Sequence, residues 1–163
     1  MHKRIYIIGP VGSGKTTLSK QLSKKYNISC YELDKVVWDD DNHIKRTETE
    51  ISNIFKEIIK KDSWVIEDIG RKIFYDGIKK ADIIYYIDLP KITIYYRCIF
   101  RWIKQKIGVE MYNYKPTLNG LFEMFGWIRQ DFINRKLKIE YIVNHSKKYK
   151  ILKKSDIKHL IDL

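Results

Sequence analysis

The sequence predicts an α/β fold of three layers, α/β/α: a five-stranded parallel sheet between helices, with a helical lid insertion late in the chain. Two patterns predict it. Short apolar runs alternate with segments of helical period, the order expected of repeated βαβ units. The runs are continuously apolar rather than alternating, which is how strands read when both faces of a sheet are covered. The 163 residues are 44% hydrophobic and 13% aromatic. That fits one domain with its own core and excludes a disordered chain.

Residues 4–8, Arg-Ile-Tyr-Ile-Ile, are rich in branched side chains and are closed by Gly9, so they read as a buried strand. Residues 15–26 set Leu18, Leu22 and Tyr26 four apart among polar residues, one face of a helix. A second strand is expected over 28–33, ending at Asp34. Residues 48–61 return to the helical period through Ile51, Ile54, Phe55, Ile58 and Ile59. Trp64, Val65 and Ile66 form a third strand that ends in Glu67 and Asp68. Residues 83–87 are a fourth, ending in Asp88-Leu89-Pro90, and 149–152 a fifth. A short final helix starts at Ser155, taken as its N-cap. Between 91 and 146 the chain is helical, basic and aromatic, without a strand. The expected organisation is one domain over 1–163, with a core of 1–90 and 146–163 and a helical lid over 91–145.

Thirty-two Lys and Arg against twenty Asp and Glu leave a net charge of +12. Such a field favours anions of any kind, from nucleotides to nucleic acids. An AT-rich genome would produce the same lysine-rich bias with no function behind it. Weak, sequence-independent, salt-sensitive nucleic-acid binding is expected from this charge alone. No run approaches the length of a membrane span. The N-terminus leads straight into the first strand without a signal-peptide apolar region, so a cytoplasmic location is the expectation. Cys30 and Cys98 are too few for a disulfide framework or a zinc site and are expected as free, partly buried thiols.

The strongest local signal is Gly9-Pro10-Val11-Gly12-Ser13-Gly14-Lys15-Thr16, followed by Thr17. It fits the spacing G-x-x-x-x-G-K-[ST] between a strand and a helix. Its glycines let backbone N–H groups turn toward phosphate oxygens. The following helix N-terminus adds its positive end. Lys15 neutralises the terminal phosphates and the Thr16 hydroxyl is suited to Mg²⁺. ATP and Mg²⁺ are therefore the expected ligands of residues 9–17.

With Gly12 the loop reads G-x-x-G-x-G-K-T. Together with Leu33-Asp34, the run 64–66, and Ala81-Asp82-Ile-Ile-Tyr-Tyr-Ile-Asp88-Leu89-Pro90, it resembles the P-loop NTPases of the adenylate-kinase-like group. The similarity extends to the topology-modulation, or adenylate-kinase-related, branch. The resemblance implies a P-loop NTPase fold and transfer of the γ-phosphoryl of ATP to a small-molecule or nucleotide acceptor. It implies catalytic roles for Lys15, for Asp34 beside the acceptor hydroxyl, and for Arg97 and Arg101, which share a helix face. It makes Glu67 the acid of the metal shell together with Thr16, with Asp68 and Asp88 as alternatives. Asp34, Glu67, Arg71, Arg129 and Arg135 fall on the acceptor side. Glu67-Asp68-Ile69-Gly70 departs from the Asp-Gly-Asn-Tyr of the topology-modulation branch.

Other readings compete at several positions. Asp34 also suits a solvated loop or a helix cap. Trp102, Tyr112, Tyr114, Lys115, Phe122, Phe125 and Trp127 either pack the insertion against the core or stack on single-stranded nucleic acid. His43, Lys45 and Arg46 either line the acceptor pocket or lie in a surface loop. The competing functions are a nucleotide-dependent nucleic-acid-binding protein that modulates DNA topology and a plain NTPase. No helix-turn-helix or other DNA-binding motif stands out.

Overall fold

A computed structural model describes residues 3–39, 44–110 and 115–162. Five strands, β1 (Arg4–Ile8), β2 (Cys30–Glu32), β3 (Trp64–Asp68), β4 (Ile83–Ile87) and β5 (Tyr149–Leu152), form one parallel sheet in the order β2-β3-β1-β4-β5. Ile8 is level with Asp68 on one side and with Tyr86 on the other. The central strands therefore end together, and the loops that follow them open at one edge. That edge, beyond the carboxyl ends, is where open parallel sheets bind ligands.

Strand alternation divides the core into two layers. Tyr6, Ile8, Ile66, Ile84 and Tyr86 face one side and pack with Ile51, Phe55, Ile58 and Ile59 of α3 (Glu48–Lys60). Ile5, Ile7, Val65 and Ile87 face the other and pack with Leu18 and Leu22 of α1 (Lys15–Tyr26). Each such side chain is worth roughly 1.5–3 kcal/mol of burial, so both layers, not one, hold the sheet.

The second strand is shorter than expected. Its run was read through to Leu33, but Leu33, Val36 and Val37 have helical spacing. They bury in the first layer as α2 (Leu33–Val37). Asp34 consequently lies in the first turn of a helix, not at a strand end. The segment after β3 also carries an unexpected 3₁₀ turn, Lys72–Phe74, and α4 (Tyr75–Lys80). Gly77 permits them, because a Cβ there would sit 2.8 Å from the Phe55 ring. Ser155 is inside α7 (Lys154–Asp162) rather than before it. The first-turn acid Asp156 accepts the Lys153 N–H instead.

The segment expected as a lid is two helices, α5 (Lys91–Lys106) and α6 (Leu118–His145). They are not separate from the core. Ile94, Cys98 and Ile128 bury in the second layer and Ile142 in the first. Phe125 packs edge-on against Tyr95, whereas Phe122 and Trp127 are 66% and 58% exposed. Packing therefore accounts for only part of the aromatic set. Tyr112, Tyr114 and His43 lie outside the described residues. Among those described, no helix is long and apolar enough to cross a membrane.

α3 begins with a complete capping box. The Thr47 hydroxyl accepts the Glu50 N–H, and the Glu50 carboxylate accepts the Thr47 N–H. Thr47→Ala is expected to cost about 1 kcal/mol, read as a melting temperature lower by roughly 3 °C for a chain of this size. An unchanged thermal midpoint would mean that the box contributes nothing.

Candidate active site

The loop between β1 and α1 needs glycine at two places. Gly12 and Gly14 have φ of 74° and 97°, a region that L side chains rarely adopt. A Cβ on Gly12 would also meet the Cys98 Sγ of α5 at 2.6 Å. The loop is held from three sides. The Ser13 N–H bonds the Pro10 carbonyl at 3.2 Å. The Lys15 ammonium donates to the same carbonyl at 3.0 Å. Arg97 donates from Nη1 to the Ser13 carbonyl at 2.9 Å. Gly14 caps α1 in a left-handed conformation without a side-chain bond. The first N–H groups of a helix have no intrahelical partners, so they face outward at the loop.

Glu67 closes β3 against this loop. The Thr16 hydroxyl donates to its Oε1 at 3.1 Å, and the Lys15 Nζ lies 3.9 Å from its Oε2. Lys15 and Glu67 are both buried, at 7% and 3% exposure. Burial pushes the Glu67 carboxyl above its ordinary value; Lys15 pulls it back, and Asp34 pushes it further up. Desolvation wins because the ammonium is not in direct contact. An acid raised in this way holds its proton more tightly folded than unfolded. It adds stability below the ordinary glutamate range and loses it as the pH climbs through its folded value. Glu67→Gln is expected to flatten that part of the melting temperature measured against pH. Identical profiles for the two proteins would contradict the burial account.

The neighbouring acids are engaged elsewhere. Asp68 is buried and accepts the Gly70 and Arg71 N–H groups on Oδ2 at 2.7 and 2.6 Å, and the Arg71 guanidinium on Oδ1. The other arm of Arg71 holds Asp34. The two aspartates keep the Arg71 guanidinium firmly charged against its desolvation. Asp88 is bound by Arg135 of α6. Lys138 of α6 lies over Gly70, donates to the Ile69 carbonyl at 2.7 Å and pairs with Asp131.

The candidate residues thus fall into three groups at one edge of the sheet. Lys15, Thr16, Glu67 and Arg97 meet at the loop. Asp34, Asp68 and Arg71 join at the ends of β2 and β3, and Asp88 pairs with Arg135 separately, beyond β4. Arg101 stays beside the first group. It contacts Met124 Sδ at 3.4 Å and lowers the burial-raised Cys98 thiol. Thr17 of α1 is exposed, as is Arg129 on α6. Arg46 is tied to the backbone around α2. Its guanidinium donates to the Lys35, Val36 and Trp38 carbonyls, finishing α2, and pairs with Asp39. Asp131 and Lys138 were missed in the sequence. They sit seven apart on a long helix, where only the arginines had drawn notice.

The residues present fit a nucleotide and a hard cation. The Thr16 hydroxyl and Glu67 carboxylate form an all-oxygen donor pair of the kind Mg²⁺ accepts alongside phosphate and water. The Ser13 Oγ, buried in the loop, has no hydrogen-bond partner. Among the described residues, no group of three His, Cys, Asp or Glu side chains is arranged for a metal held by protein alone.

Comparison with known proteins gives a family and a fold. The model of the AAA domain matches residues 5–108. Adenylate kinase of Bartonella tribocorum is 32% identical over 81 residues, which take in 50% of this chain and 40% of that protein. The chain thus spans well under half of that relative. Among solved structures, shikimate kinase from Bacteroides thetaiotaomicron superposes with a TM-score of 0.63 at 16% identity, over 98% of this chain and 94% of that one. Shikimate kinase from Acinetobacter baumannii in complex with shikimate gives 0.60 at 15% identity, over 97% and 88%. A gluconokinase from Sinorhizobium meliloti 1021 gives 0.56 at 10% identity, over 99% and 88%. At these identities the structures share a fold, that of kinase-like P-loop proteins.

Proposed function

The chain belongs to the AAA domain family, and from that premise we propose that it is an ATP-dependent phosphotransferase acting on a small acceptor. The observation that carries the reading is the meeting of Thr16, Lys15 and Glu67 at the glycine loop, with Arg97 of α5 hydrogen-bonded to the same loop. The loop amides and Lys15 bind the β- and γ-phosphates. Thr16 and Glu67 would hold Mg²⁺, which would neutralise charge on those phosphates. Arg97 and Arg101 reach the phosphoryl group from α5, where planar guanidinium groups match charge spread over several oxygens. Asp34 accepts the hydrogen bond and then the proton of the acceptor hydroxyl, whose oxygen bonds to the γ-phosphorus as the bond to the ADP oxygen breaks. Catalysis is mostly positioning and charge neutralisation.

The test is coupled ADP release over an acceptor panel at low and near-physiological salt, run beside DNA binding with and without ATP. Acceptor-dependent release should survive the higher salt, because a water-poor cleft is weakly screened. DNA binding should fade there and ignore ATP. Tight, ATP-dependent DNA binding at the higher salt, with no acceptor turned over, would favour the nucleic-acid switch instead.

A further inference from the structure

The two sides of the site differ in what their cations touch. On the loop side, Arg97 bonds a backbone carbonyl and Arg101 contacts a thioether. Among the described residues no carboxylate pairs with either arginine, and Lys15 lies 3.9 Å from Glu67. Beyond β3 and beyond β4, three cations hold carboxylates. Arg71 holds Asp34 and Asp68, Arg135 holds Asp88, and Lys138 holds Asp131. In these pairs four carboxylates meet three cations. Arg71 is bonded on both of its terminal nitrogens. Among the described residues Asp34 is bonded only through Oδ1, and its side chain is 61% exposed.

Resting on the kinase reading, we infer that the acceptor bears no anionic group: it is an uncharged polyol or an amine-bearing alcohol. An acceptor carboxylate or phosphate at Arg71 would have to displace Asp34 from a guanidinium already held by two aspartates. Hydroxyl or ammonium donors instead find the open Asp34 oxygen. The expected binding role of Arg71 becomes one of holding Asp34 in place, so the arginine positions the carboxylate rather than gripping the substrate. Arg135 stands in the same relation to Asp88.

The experiment reads the Arg71 Nε–H signal in side-chain spectra of ¹⁵N-labelled protein, assigned by its loss in Arg71→Lys. Inorganic sulfate is the anionic probe, and a non-hydrolysable ATP analogue with Mg²⁺ fills the loop. Sulfate should leave the wild-type signal unmoved. In Asp34→Asn, which frees one arm of the guanidinium, sulfate should shift it, with affinity at least roughly tenfold higher. A second arm measures ADP release with glucose, glucosamine, gluconate and glucose 6-phosphate, one carbon skeleton in four charge states. The uncharged or amine member should lead; if none is turned over, the sulfate result decides. A wild-type Arg71 that responds to sulfate overturns the inference. So does an Asp34→Asn protein that fails to respond, or faster release with an anionic member. Failure of the ATP analogue to bind at all would count against the kinase reading, while the sulfate result still judges the charge argument.

Discussion

Lys15→Ala is expected to lower the affinity for ATP at least a hundredfold, or about 2.7 kcal/mol. The Lys15 ammonium is tied to the Pro10 carbonyl and lies beside Glu67, so it is already held where a γ-phosphate would meet it. Removing it takes away the central charge of the loop. It also leaves a buried carboxylate without its cation, a costly state unless the acid protonates. The Glu67 carboxyl, already raised by burial, should rise further. Two readouts are therefore expected together: calorimetry with a non-hydrolysable ATP analogue should show the lost affinity, and the apo protein should gain relative stability toward low pH. Unchanged affinity in a folded Lys15→Ala protein would remove the nucleotide site from this loop.

The second large effect falls on rate. Arg97→Ala should cut kcat by roughly a hundredfold or more while weakening ATP binding far less, since such a group acts on charge that develops in transfer. In the structure its guanidinium rests on the Ser13 carbonyl, 2.9 Å away, and 3.6 Å from where a Cβ of Gly14 would stand. It is thus within the loop's immediate surroundings before any ligand arrives. Arg97→Lys should restore little, because an ammonium cannot bridge two oxygens in one plane. Steady-state kinetics that show an equal loss in KM and none in kcat would make Arg97 a plain binding residue.

The sheet and the glycine loop were legible because each rests on local pattern. Continuous apolar runs at 4–8, 64–66 and 83–87 became β1, β3 and β4 with small changes of boundary. The loop's spacing carried its own backbone geometry. The second strand was not legible, because Leu33, Val36 and Val37 serve a helix whose spacing is hidden inside an apolar run. Pairings on the acceptor side were not legible for a different reason. Arg135 reaches Asp88, and Lys138 reaches the Ile69 carbonyl, only because α6 crosses the sheet edge. Those separations along the chain leave no periodic trace. Arg71 shows the consequence: the resemblance implied an acceptor-side role, and only the fold reveals the two aspartates that it holds. Cys98 was legible only as a free, partly buried thiol; that it is buried and fills the space under Gly12 was not.

The central claim is that residues converging on the loop and on Asp34 transfer a phosphoryl group to an alcohol rather than to water. The direct measurement follows the label from γ-³²P-ATP in the presence of Mg²⁺ and pooled uncharged and amine-bearing alcohols. The account predicts label in an organic phosphate ester, formed only with the alcohols present and lost in Lys15→Ala. Label released solely as inorganic phosphate, at a rate indifferent to the alcohols, would contradict it.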